Sequence, residues 1–64
     1  MKNLQNVTYY TIVDAKTSEV TLEFVAMGDG AARDLGRQFV DAVKRAMRVI
    51  DGVTGETVAT LAVR

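Results

Sequence analysis

The sequence predicts an α+β domain of order ββαββ: two antiparallel hairpins joined by one helix packed on one face of the sheet. Three observations predict it. Residues 7–14 and 19–27 are runs of β-branched and aromatic residues around a four-residue loop, which is a hairpin pattern. From Ala31 to about Met47 the apolar residues return with helical spacing. The end of the chain then repeats its beginning. Val49-Ile50-Asp51-Gly52-Val53-Thr54-Gly55-Glu56 echoes Ile12-Val13-Asp14-Ala15-Lys16-Thr17-Ser18-Glu19 through a shared Asp-x-x-Thr-(Ser/Gly)-Glu.

The first hairpin turns at Ala15-Lys16-Thr17-Ser18. Setting Asp14 opposite Glu19 pairs Val13 with Val20, Thr11 with Leu22, Tyr9 with Phe24 and Val7 with Ala26. Those residues then share the core face, and Thr8, Tyr10, Ile12, Thr21, Glu23 and Val25 lie on the other. Gly28-Asp29-Gly30 ends the strand, with Asp29 as the expected N-cap because its carboxylate can accept free first-turn amides. At about 100° per residue, Ala32, Leu35, Phe39, Ala42, Val43 and Ala46 form the core stripe of the helix. Lys44, Arg45 and Arg48 gather at its C-terminal end, where the dipole favours cations.

The repeated motif predicts a repeated turn. Aspartate can hold loop amides, and the position before Glu calls for positive φ, which Gly55 meets better than Ser18. Residues 57–64 then form the fourth strand. Carrying the faces of the first hairpin across the offset places Ile50, Ala59, Leu61 and Val63 in the core.

A chain of 64 residues allows one domain. At that size only about 60% of the unfolded surface is buried, so stability is marginal. There is no cysteine and no histidine, which removes disulfides and nearly every zinc or copper site; no cofactor is expected. Self-association is the remaining common support, and a homo-oligomer, most simply a dimer, is the expected state. Lys plus Arg and Asp plus Glu are 8 each, so the formal charge is zero. That balance argues against a protein whose main work is neutralising nucleic-acid phosphates. No apolar run follows Met1, and the longest, Phe24 to Met27, is far too short to span a bilayer. The expectation is an intracellular, cytoplasmic protein without a membrane partner.

Groups that could carry chemistry are few. Gly28-Asp29-Gly30-Ala31-Ala32-Arg33 opens like a dinucleotide fingerprint but lacks its third glycine, and the chain is too short for the parallel framework. It reads as a strand-to-helix turn. Asp14 with Glu19 and Asp51 with Glu56 are carboxylate pairs at wet hairpin tips, not in the dry cleft that acid–base catalysis needs. Ser18, the one serine, sits in a turn. No activated nucleophile is visible, and the chain is not expected to be an enzyme.

Contact surfaces are the stronger candidates. Tyr10, Ile12, Val25, Val49 and Val58 are assigned to the outer sheet face, an apolar patch suited to an interface. Gly36, Val40, Val43 and Met47 form a second helix stripe, which fits either the helix's own sheet or a subunit contact. Gly36 costs about 1 kcal/mol there relative to alanine, which a close neighbour would explain. Arg33, Arg37, Lys44 and Arg48 fall within about 60° on the outer side of the helix, a candidate nucleic-acid contact; the alternative is a solvated face with Arg37–Asp41 pairing. Tyr9 and Tyr10 point to opposite faces, so only one can be a base-stacking platform.

Tyr10-Thr11-Ile12-Val13-Asp14-Ala15-Lys16-Thr17, then Phe24-Val25-Ala26-Met27-Gly28-Asp29, Ala32-Arg33 and Phe39-Val40-Asp41-Ala42-Val43, resemble the small non-structural protein of gokushovirus-type single-stranded-DNA phages. That family also runs from a Tyr-x-Ile-x-Asp-x-Lys-Thr type strand and turn, through an aspartate, into an Ala/Arg/Phe helix. The resemblance covers about half the chain. It implies a small phage accessory protein, acting in the host cell and binding single-stranded DNA, with no catalytic residues to carry over. The combined expectation is a non-enzymatic, self-associating accessory module that takes a protein partner; the alternative is a single-stranded nucleic-acid binder using the basic helix stripe.

Overall fold

The computed structural model describes residues 7–64. Strands β1 (Thr8–Asp14) and β2 (Val20–Ala26) form the first hairpin. Helix α1 (Asp29–Val43) follows, and β3 (Met47–Asp51) and β4 (Thr57–Leu61) form the second hairpin. The four strands make one antiparallel sheet in the order β2-β1-β3-β4, so β1 and β3 are central and β2 and β4 are edges. The helix packs on one face, against β2, β3 and β4. The element order, the hairpins and the helix-on-sheet layering are those the sequence predicts.

The repeat in sequence is a repeat in structure. In both turns the aspartate Oδ1 accepts two loop amides: Lys16 at 2.8 Å and Thr17 at 3.1 Å from Asp14, Val53 at 2.8 Å and Thr54 at 3.1 Å from Asp51. The threonine Oγ1 takes the following glutamate amide at 3.2 Å in each. The residue before that glutamate has positive φ, 64° at Ser18 and 82° at Gly55. The two hairpins also meet symmetrically. The Ala15 amide donates to the Ala46 carbonyl, and the Gly52 amide donates to the Tyr9 carbonyl. Advancing Tyr9 and Ala15 by the offset between Asp14 and Asp51 gives Ala46 and Gly52. A pseudo-two-fold axis therefore passes through the middle of the sheet, where Ile12 pairs with Val49.

A β-bulge corrects the expected faces. Val13 pairs with Val20 as predicted, but Ile12 pairs with Leu22 and Tyr10 with Phe24, leaving Thr21 as the extra residue. One inserted residue flips every side chain of β1 beyond it relative to β2. Tyr10 and Ile12 are consequently core residues, 1% and 0% exposed, while Tyr9 faces outward. Ile50 pairs with Thr57 and Val49 with Ala59, so Val58 is the equivalent bulge residue in the second hairpin. Val49 and Met47 are thereby buried in place of Ile50. Ala59 and Leu61 keep their predicted core side, and Val63 is exposed.

The helix is also shifted. Gly28 is its N-cap with no side-chain capping bond, and Asp29 is the first helical residue. The Asp29 carboxylate accepts the Tyr10 hydroxyl at 2.8 Å instead of capping amides. At the other end Lys44 adopts the left-handed conformation (φ 60°, ψ 41°) and its amide closes on the Val40 carbonyl, so no basic residue lies in the last turn. The buried side is Ala32, Gly36 and Val40. Phe39 is partly buried, and Leu35 and Val43 are exposed at the flanks. Gly36 lets the backbone approach the sheet: a methyl there would lie 2.6 Å from Val49 Cγ2 and 2.9 Å from Leu61 Cδ1. The stripe Gly36–Val40–Met47 thus belongs to the helix–sheet core, which resolves the two readings in favour of the chain's own sheet.

Candidate functional site

The helix packs on one face of the sheet, and among the described residues no element covers the other. Alternation from the buried Tyr10, Ile12, Met47 and Val49 assigns Tyr9, Thr11 and Val13 of β1 and Arg48 and Ile50 of β3 to that face. Their cross-strand partners Val25, Glu23 and Thr60 join them. Val25 is 63% exposed and Tyr9 39%. Val13 is buried and Ile50 half-buried among these neighbours. The Tyr9 ring lies over Gly52, where an added methyl would come within 2.6 Å of Tyr9 Cε2, so the glycine provides the seat for the ring. The Glu23 carboxylate beside Tyr9 raises the pKa of its phenol, which stays protonated at neutral pH. Arg48 Nη2 donates to Ser18 Oγ at 2.9 Å, tying the open face to the first turn.

A second feature lies at one end of the sheet. A cleft of about 360 Å³ is lined by Asp14, Lys16, Thr17, Lys44, Arg45, Ala46 and Val63. Asp14 forms its inner wall and is only 3% exposed. The Lys16 amide, then the Thr17 amide, then Arg45 hold its carboxyl below the usual carboxylate range, against the effect of burial. Arg45 Nη2 donates to Asp14 Oδ2 while its own side chain remains 60% exposed. Three donors engage the carboxylate, and Lys16, Lys44 and Arg45 are exposed around it.

The predicted site residues separate into three groups. Tyr10, Ile12 and Val49, expected on the outer sheet face, lie under the helix, and Val58 sits half-buried against the same core; Val25 alone is where the interface expectation put it. Gly36, Val40 and Met47 are buried in that core. The basic stripe Arg33–Arg37–Lys44–Arg48 is not one surface, because the helix ends at Val43. Arg48 is in β3 on the open sheet face. Arg37 Nη1 donates to the Ala62 carbonyl at 2.9 Å and reaches Asp41 Oδ1 at 3.3 Å, clasping the end of β4 to the helix. Arg33 stays on the exposed helix side, and Lys44 turns to the cleft. Of the two tyrosines, Tyr9 is the one whose ring reaches solvent.

Sequence reasoning missed Tyr9 and Ile50 as surface residues and Lys16 with Arg45 as a pair. The first was signalled in β3, where Met47-Arg48-Val49 alternates in favour of Met47 and Val49 inside. The second had no local signal, since Lys16 and Arg45 meet only through the β1–β3 pairing. Among the described residues no group of three or more metal-ligating side chains comes together, and no helix is long and apolar enough to cross a membrane. In comparisons with known proteins, no family model, curated protein or solved structure matches the chain.

Proposed function

We propose that this chain is a non-enzymatic binding module that associates with a second copy of itself through the open face of its sheet. The observation that carries this reading is the composition of that face. Val25 and Tyr9 are exposed beside Val13 and Ile50, on the side of a four-stranded sheet that no helix of the described residues covers. An antiparallel sheet can leave one face to water, but such a face normally alternates to polar residues. Here Tyr9, Val13, Val25 and Ile50, from three of the four strands, share the face with Thr11, Glu23, Arg48 and Thr60, a mixed apolar and polar composition that suits an interface. A domain of this size gains stability from covering such a patch. A two-fold dimer, in which one patch meets itself, is the simplest closed arrangement. The accessory role implied by the resemblance to the gokushovirus-type protein fits a module of this kind.

Three of the carboxylates serve the fold, which favours a binding role over a catalytic one for them. Asp14 and Asp51 are spent on turn amides and Asp29 on the Tyr10 hydroxyl. Sedimentation equilibrium at tens of micromolar tests the proposal. The expected result is a dimeric mass for the natural chain and a monomeric mass for Val25→Glu, with the fold retained because Val25 is exposed. A monomeric mass for the natural chain at full stability refutes it.

A further inference from the structure

We propose that the cleft beside Asp14 is an anion site that takes a phosphate group, held by Lys16, Lys44 and Arg45. This site is separate from the open sheet face and does not depend on self-association. Its lining carries three cations and one carboxylate, and that carboxylate is already engaged by the Lys16 and Thr17 amides and by Arg45. The residual field is positive inside a partly enclosed space, where counter-charge is attracted more strongly than on a flat surface.

The pseudo-symmetry supplies an internal control. The turn at Asp51 makes the same hydrogen bonds as the turn at Asp14. The positions equivalent to Lys16, Lys44 and Arg45 are Val53, Val7 and Thr8, none of them charged. The turn therefore does not require cations, and their convergence at one end of the sheet has another cause.

Lys44 points the same way. It occupies the left-handed position that ends the helix, where glycine or asparagine is favoured and a lysine stores backbone strain. A residue that glycine would serve better for stability is accounted for by its place in the lining of the cleft, where it brings a positive charge. Arg45 adds a guanidinium with Nη2 held on Asp14 and a side chain 60% exposed, and its planar fork of donors suits a phosphate oxygen pair. The volume of about 360 Å³ accommodates a phosphate with a small attached group.

The test is titration of the isotope-labelled full chain at low ionic strength, followed by amide chemical shifts. One arm uses inorganic pyrophosphate and the other a short oligothymidylate, with sodium chloride at matched ionic strength as the control. Saturable shifts at Lys16, Thr17, Lys44, Arg45 and Ala46 are expected. Tighter binding of pyrophosphate assigns the site to small phosphate compounds, and tighter binding of the oligonucleotide assigns it to a phosphodiester chain; each supports the site. Lys16→Gln and Lys44→Gly should each weaken binding by roughly tenfold, the loss of one charge-assisted contact. Lys44→Gly should do so while the melting temperature holds or rises, which a merely structural lysine would not give. The proposal is overturned if neither anion produces shifts beyond the chloride control, or if both variants bind as well as the natural chain.

Discussion

Ile12 and Val49 are cross-strand partners and also occupy the same position in the two hairpins, so the pseudo-two-fold axis of the sheet passes between them. Both are fully buried beneath the helix. Ile12→Ala is expected to cost on the order of 2–5 kcal/mol, and Val49→Ala somewhat less because fewer methyl groups are removed. A domain this small has little more than that to lose. Leu35→Ala, at a position 37% exposed, is expected to cost under about 2 kcal/mol. Urea unfolding of the three variants gives the ranking.

The two turns allow a swap experiment. Ser18 holds φ 64° where Gly55 holds φ 82°. A left-handed conformation costs a non-glycine residue roughly 1–2 kcal/mol, and glycine's extra freedom in the unfolded chain returns about 0.5–1 kcal/mol of that. Ser18→Gly is therefore expected to stabilise by about 0.5 kcal/mol, and Gly55→Ala to destabilise by about 1 kcal/mol. Equal and same-signed effects at the two sites would contradict the equivalence of the turns.

Acid stability follows from Asp14. Its folded pKa is depressed, chiefly by the Lys16 and Thr17 amides, so its contribution is complete above the unfolded value of about 4 and is lost as pH falls through the folded value. Denaturation at pH 7, 4 and 2.5 should show stability decreasing only on the acid side. Asp14→Asn should flatten that decrease, and Arg45→Gln should flatten it less because the arginine is the lesser cause.

Gly36 sets two effects against each other. Alanine gains about 1 kcal/mol of helix propensity. Its methyl would press on Val49 Cγ2 and Leu61 Cδ1, and overpacking of a tight core costs typically about 1–3 kcal/mol. The net expectation for Gly36→Ala is destabilisation by about 1 kcal/mol. In the Val49→Ala background the same change should become neutral or stabilising, a coupling that a double-mutant cycle reads directly.

The element order and both turns were legible in the sequence because they depend on local chemistry. Asp14 and Asp51 each needed only neighbours within three positions to define a turn. The assignment of faces depended on Thr21 and Val58, bulge residues that carry no glycine or proline to mark them. One unmarked insertion moved Tyr10 and Ile12 from the outer face to the core. The helix end was obscured for a similar reason, since Lys44 takes a conformation that sequence patterns assign to glycine. The cleft was invisible because Lys16 and Arg45 are distant in sequence and meet through the central β1–β3 pair.

The open sheet face is tested most directly by isotope-filtered nuclear Overhauser contacts between labelled and unlabelled copies of the chain. Contacts between copies are expected from Tyr9, Val25 and Ile50 and should vanish in Val25→Glu. Contacts arising instead from Arg33, Asp34 and Asp41 on the helix, or a dimeric sample with none from the open face, would contradict it.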